Sequence, residues 1–147
     1  MRKWGRSSQE VYDTLDPRLQ HLMNYCLTVI GDISLISGHR SEEEQNALFK
    51  SGKSKLKYPN SKHNSNPSMA VDFQPYPMPN INAKNKAVRA RAERTLWASL
   101  AYTAGAARTY ALANGWKLRW GGDWDGDGDL TDQTFNDLFH LELQVDD

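Results

Sequence analysis

The stretch from residue 83 to 114, AKNKAVRARAERTLWASLAYTAGAARTYALAN, restricts the fold more than any other part of the chain. It is rich in alanine, the strongest helix former. It reads as one long helix closed by Gly115, with Gly105 as a point where it can be interrupted. A chain of 147 residues built around such a helix has room for one domain with one core.

The remaining elements are shorter. Residues 8–30 read as helix, because Leu15, Leu19, Leu22, Met23 and Cys26 recur with a rough 3.6 period. Pro17 argues against one unbroken helix and places its start near Asp16. DISLISG is a short buried strand ended by Gly38. SEEEQNALFKSG is a helix with a capping box at Ser41 and Glu44, acids in its first turn and Gly52 as its stop. Residues 53–68 form a polar loop. MAVDF is a strand with Met69, Val71 and Phe73 on one face and Ala70 and Asp72 on the other. QPYPMPNIN, with three prolines, is irregular. WKLRWGGDW is a strand that runs into turns. FHLELQV is the last strand, with Phe139, Leu141, Leu143 and Val145 on one face and His140, Glu142 and Gln144 on the other. The pattern is α+β: a small, mostly antiparallel sheet with helices packed on it, a single domain over residues 1–147.

Composition excludes several classes. No segment approaches the roughly 20 apolar residues of a membrane span. The opening MRKWGRSSQEVYD has basic residues but no apolar region behind them, so no signal peptide is expected. Cys26 is the single cysteine, which rules out an intramolecular disulfide and a Cys-ligated zinc finger. It lies among apolar residues and reads as a buried, inert thiol. Net charge is zero but polarised. All 18 basic residues and nine acids precede Asp123; nine acids and no base follow from it. An acidic end of this kind suits a cation, and a basic body suits an anionic partner, although a solvated surface explains both.

Two of the four histidines stand near an Asp and near a strand. His63 ends a polar loop nine residues before Asp72. His140 lies on the polar face of the last strand, three residues after Asp137. His21 and His39 have no evident partner and are assigned to structure. A hydrolytic zinc site takes three N or O ligands and leaves a fourth position open, and His63, Asp72 and His140 supply such a set. Asp137 is placed to move a proton, and Arg40 to meet a substrate carboxylate or an oxyanion. On spacing alone a satisfied polar network accounts for the same residues: Asp72 capping a turn, Asp137 as one more tail acid, Arg40 paired with Glu43 or Glu44.

The motifs SKH…AVDF and DLFHLEL, with SGHRS before them and RWGGDW…TD…F between, resemble those of the zinc D-Ala-D-Ala carboxypeptidase family. The ending is similar to the phage endolysin branch, which cuts the L-Ala–D-Glu bond of peptidoglycan. The resemblance spans most of the chain, with the motifs in family order. It implies the fold of the hedgehog-type zinc peptidases. It implies that His63, Asp72 and His140 bind zinc, that Asp137 is the catalytic base, and that Arg40 and Ser61 contact substrate. The loop between His63 and Asp72 is longer than usual in that family.

The function implied is a zinc-dependent L-alanyl-D-glutamate endopeptidase acting on stem peptides and lysing a bacterial host. Peptidoglycan is its partner, and it works as a monomer without nucleic acid or membrane insertion. It waits in the host cytoplasm until a holin releases it to the wall, and it has no separate wall-binding domain. The competing expectations are a D-Ala-D-Ala carboxypeptidase and a non-catalytic wall- or calcium-binding module. Calcium is a second expected cofactor beside zinc, at DWDGDGDLTDQT, where Asp123, Asp125 and Asp127 fall at positions 1, 3 and 5 of a calcium loop and Gly128 at 6, although an Asp-Gly turn with solvated charge explains the same residues. Thr134 stands at position 12, where a bidentate Glu is expected.

Overall fold

The computed structural model describes residues 1–145; residues 146 and 147, the end of the acidic tail, lie outside the described residues. The first helical region is two helices, α1 (Arg6–Tyr12) and α2 (Pro17–Val29). Pro17 sits at the first helical position, where a missing N–H costs nothing, and the Asp16 side chain accepts from the Arg18 amide as the cap. Next come β1 (Ile33–Ser37) and α3 (Glu42–Lys50), the latter capped by the Ser41 hydroxyl accepting from the Glu44 amide. Within the long polar loop a single 3₁₀ turn covers Lys62–Asn64.

Strand β2 (Ala70–Pro75) runs two residues into the stretch expected to be irregular, with Gln74 and Pro75 paired to Ser34 and Ile33. Proline is tolerated there because β4 pairs only with Ala70, Val71 and Asp72, short of the point where a second ladder would need the Pro75 N–H. Helix α4 (Lys86–Ala113) is 28 residues long, about 42 Å at 1.5 Å per residue. It starts after Asn85, whose side chain caps it, and ends before Gly115 at φ 72°. Gly105 does not interrupt it. Glycine there costs only about 1 kcal/mol against alanine, and the neighbouring Ala104 and Ala107 are packed in the core. The chain closes with β3 (Leu118–Gly121) and β4 (Asp137–Leu143). The last strand begins at Asp137 rather than Phe139 and ends at Leu143, so Val145 is exposed instead of lying on the core face.

The four strands form one antiparallel sheet in the order β1-β2-β4-β3. This is the α+β fold expected. Val71, Phe73, Leu141 and Leu143 are fully buried on one face, in a cluster with Leu19, Leu22 and Met23 of α2 and Leu100 and Ala107 of α4. Strand alternation turns Asp72, Gln74, His140 and Glu142 to the other face, the floor of a cleft walled by loops on either side. No helix among the described residues is long and apolar enough to cross a membrane.

Candidate metal centre

The centre of the sheet brings together three donors that are far apart in the chain. Asp72 on β2 and His140 on β4 are direct cross-strand partners. His63 reaches them from the 3₁₀ turn, which Ser61 caps by accepting from the His63 amide at 3.2 Å. The turn is tied down further: the Arg40 amide donates to the His63 carbonyl at 2.8 Å, and the Met69 amide to the Lys62 carbonyl at 3.2 Å. The loop that was longer than expected is therefore anchored at both ends of its histidine. His39 helps from outside the site, with Nδ1 3.0 Å from the Ser65 carbonyl.

The donor atoms converge. His63 Nε2 is 3.3 Å from Asp72 Oδ1 and 3.3 Å from His140 Nδ1, and His140 Nδ1 is 3.0 Å from Asp72 Oδ1. These separations lie near the edges of a tetrahedron around zinc, about 3.4 Å for bonds near 2.1 Å. The outer ring nitrogens are engaged elsewhere. His63 Nδ1 lies 2.7 Å from the Gly38 carbonyl, and His140 Nε2 lies 2.9 Å from Glu142 Oε1. A carbonyl only accepts, so His63 carries its proton on Nδ1 and turns the Nε2 lone pair inward. A carboxylate and inward lone pairs in a buried site repel unless a cation or a proton joins them. His63, Asp72 and His140 therefore form a group able to hold a metal ion.

The charges reflect this crowding. Burial works against ionised Asp72, yet the His140 and His63 rings beside it hold its carboxyl far below the usual carboxylate range. Burial also works against protonated His140, but Asp72 and Glu142 on either side push it up to about 9 when only protons compete for the site. Arg40 adds a charge-assisted bond to Asp72 Oδ2 at 3.0 Å and donates to Ser37 Oγ at 3.0 Å. It pairs there, and not with Glu43 or Glu44.

Asp137 lies at the start of β4, opposite Gly121 across a register shift in the β3–β4 ladder. That irregularity lets residues three apart, Asp137 and His140, line the same cavity of about 540 Å³. Burial raises the Asp137 carboxyl above its ordinary range, and the negative charge of Asp72 raises it further. Arg40 and Ser61 line this cavity as well, so the six residues that the sequence assigned to the zinc site share one cleft.

Three neighbours escaped the sequence reading. Glu142 holds the outer nitrogen of His140. Arg119 donates to Glu142 Oε2 at 3.0 Å. Trp124 packs its ring 5.7 Å from that of His140. Glu142 was visible as a face-mate of His140, two residues on in HLEL; nothing in the local sequence ties Arg119 or Trp124 to it.

Asp123, Asp125 and Asp127 form a second group, with carboxylate oxygens within 4.8 Å of one another. Asp123 is buried and accepts from the Gly126 and Gly128 amides, each at 3.1 Å, and from Arg108 at 3.3 Å. Strands β3 and β4 flank this loop, not helices.

A family model described as phage L-alanyl-D-glutamate peptidase matches residues 1–144. Among solved structures, the fold is similar to that of an L-Ala D-Glu endopeptidase, ChiX, from Serratia marcescens. The two share 24% identity over 95% of this chain and 87% of that one, with a TM-score of 0.65. No curated protein matches.

Proposed function

From the premise that the chain belongs to the phage L-alanyl-D-glutamate peptidase family and is a peptidase, we propose that it is a zinc-dependent endolysin. The bond it hydrolyses lies between L-Ala and D-Glu in the stem peptide of peptidoglycan. The observation that carries the zinc assignment is the convergence of His63 Nε2, Asp72 Oδ1 and His140 Nδ1 within 3.3 Å of one another. A zinc ion held by these three supplies a Lewis acid that polarises a carbonyl and makes water acidic enough to ionise near neutral pH.

The chain's own residues do the rest. Asp137 takes the proton from the attacking water on a carboxylate oxygen and returns it to the departing amine nitrogen. Its raised proton affinity, set by burial and by Asp72, suits both halves of that exchange. Arg40 holds Asp72 from behind and offers positive charge to the cleft, where a substrate carboxylate or the developing oxyanion is drawn. Ser61 keeps the His63 turn in shape and borders the substrate. The enzyme acts as a monomer and stays in the host cytoplasm until a holin admits it to the wall.

Mass spectrometry of the soluble products from purified peptidoglycan tests this, with protein as prepared, after chelation and after zinc is restored. Stem peptides beginning at D-Glu, lost with chelator and regained with zinc, are expected. Single D-Ala residues would move the enzyme to the carboxypeptidase reaction. No product under any condition would overturn the reading in favour of a binding module.

A second cation has its own support. The Asp123, Asp125 and Asp127 cluster is tied by Asx turns, and Gly126 and Gly128 take positive φ, in a loop with the spacing of a calcium site. We assign calcium to it. Added calcium should raise the melting temperature and Asp125→Ala should remove the rise; a flat calcium titration would end the assignment.

A further inference from the structure

The metal-site reading leaves one buried acid of the cleft without a role. Glu142 is almost wholly buried, and both of its oxygens are committed. Oε1 accepts from His140 Nε2 at 2.9 Å; Oε2 accepts from Arg119 at 3.0 Å. The sequence spacing explains the first contact, since residues two apart on a strand share a face. The ladder explains the second, since Arg119 and Glu142 are cross-strand partners on β3 and β4. Arg119 is itself held. Its guanidinium lies 5.3 Å from the Trp124 ring, and the same ring packs 5.7 Å from His140. Histidine, glutamate, arginine and tryptophan thus close a circuit around one imidazole.

An imidazole on a strand can rotate about its side-chain bonds and can present either nitrogen. Here the inner nitrogen that meets Asp72 and His63 is Nδ1, the one nearer the backbone, so a flipped ring would withdraw the donor altogether. We infer that Glu142, clamped by Arg119, is the positioning residue that orients the His140 ring. It holds the proton on Nε2 and aims the Nδ1 lone pair into the cluster. This deepens the zinc reading and rests on it for the identity of the ion. The geometry argues against a plain ion pair. A bidentate fork would commit both carboxylate oxygens to the guanidinium, whereas Glu142 keeps one of them for the histidine.

The test uses the full chain and two readouts besides turnover. Zinc affinity, measured by competition with a chromogenic chelator, should fall about 10- to 100-fold in Glu142→Ala. Glu142→Gln keeps a carbonyl oxygen that accepts from Nε2–H and should lose far less. Arg119→Met, which leaves Glu142 unclamped, should fall between them. In the zinc-free protein, the His140 Nε2 proton should appear by ¹H–¹⁵N correlation as a slowly exchanging resonance in wild type and Glu142→Gln, and vanish in Glu142→Ala. Wild-type zinc affinity in Glu142→Ala would overturn the inference. So would equal losses in the alanine and glutamine variants that track melting temperature, which is the behaviour of a structural ion pair. Should the wild type itself fail to take zinc, the zinc reading falls, and the ring resonance still decides: its loss in alanine with survival in glutamine upholds the orienting contact, and its survival in alanine refutes it.

Discussion

Asp137 and Asp72 are both carboxylates in one cleft, yet their surroundings drive them in opposite directions. Asp72 faces two histidines and Arg40 and stays ionised. Asp137 faces burial and the charge of Asp72, which favour its protonated form. Opposed environments of this kind separate a ligand from a proton carrier. Asp137→Ala is expected to fold and keep zinc while turnover falls about 10²- to 10⁴-fold, the usual share of a general acid–base group. Metal analysis and kcat on purified peptidoglycan check it, and retained turnover would remove Asp137 from the mechanism. The ligands were named in the sequence by the resemblance of SKH…AVDF and DLFHLEL to a known family, since spacing alone fitted a satisfied polar network as well. Glu142 was placed on the correct face but given no role, because only the ladder shows that its second oxygen belongs to Arg119.

At the scale of elements, the cleft depends on two short features. The first is Gly121. It stands opposite Asp137, so close that a Cβ on it would strike the Asp137 carbonyl. Gly121→Ala should therefore displace the start of β4 and lower kcat more than zinc affinity, since His140 lies further along the strand. Equal losses in both would show that the strand moves as a unit. The second is the cap of α2. Asp16 accepts from the Arg18 amide and side chain, each at 2.9 Å. The Arg18 hydrogen bond, its largest cause, depresses the Asp16 pKa. Asp16→Ala should cost about 1 kcal/mol. A depressed folded pKa means that the charge-dependent part of this stability is present above the unfolded value near 3.9 and is lost as pH falls through the folded one. In denaturant titrations the advantage of wild type over Asp16→Asn, which keeps a capping oxygen, should shrink below about pH 4. An advantage that persists there would mean that the cap alone matters.

Over the whole molecule, the sheet separates two environments. One face is sealed by α2 and α4 around Phe73, Leu141 and Leu143; the other holds the converging donor atoms of His63, Asp72 and His140, which repel unless a cation or a proton joins them. Zinc should accordingly stabilise the fold. At about a hundredfold above its dissociation constant it adds about 2.7 kcal/mol. At roughly 2–4 °C per kcal/mol for a chain of this size, calorimetry should find the melting temperature about 5–10 °C lower after chelation. No shift on chelation, in protein that is otherwise active, would mean that the folded chain does not need the ion at this place.

The amino-acid sequence alone determined the elements whose cause is local. Alanine content and Gly115 set α4, Pro17 set the start of α2, the Ser41 cap set α3, and strict alternation set the faces of β2 and β4. Motifs in family order then named the ligand set. The tertiary structure decided what no local window contains. It added a separate helix α1 before Pro17, carried β2 on through Pro75, and began β4 at Asp137 through a register shift that turns this acid into the same cavity as His140. It also closed the circuit of Glu142, Arg119 and Trp124 around that histidine. The physical reason is that local propensity acts within a few residues, whereas pairing register and side-chain burial are fixed by partners from distant parts of the chain.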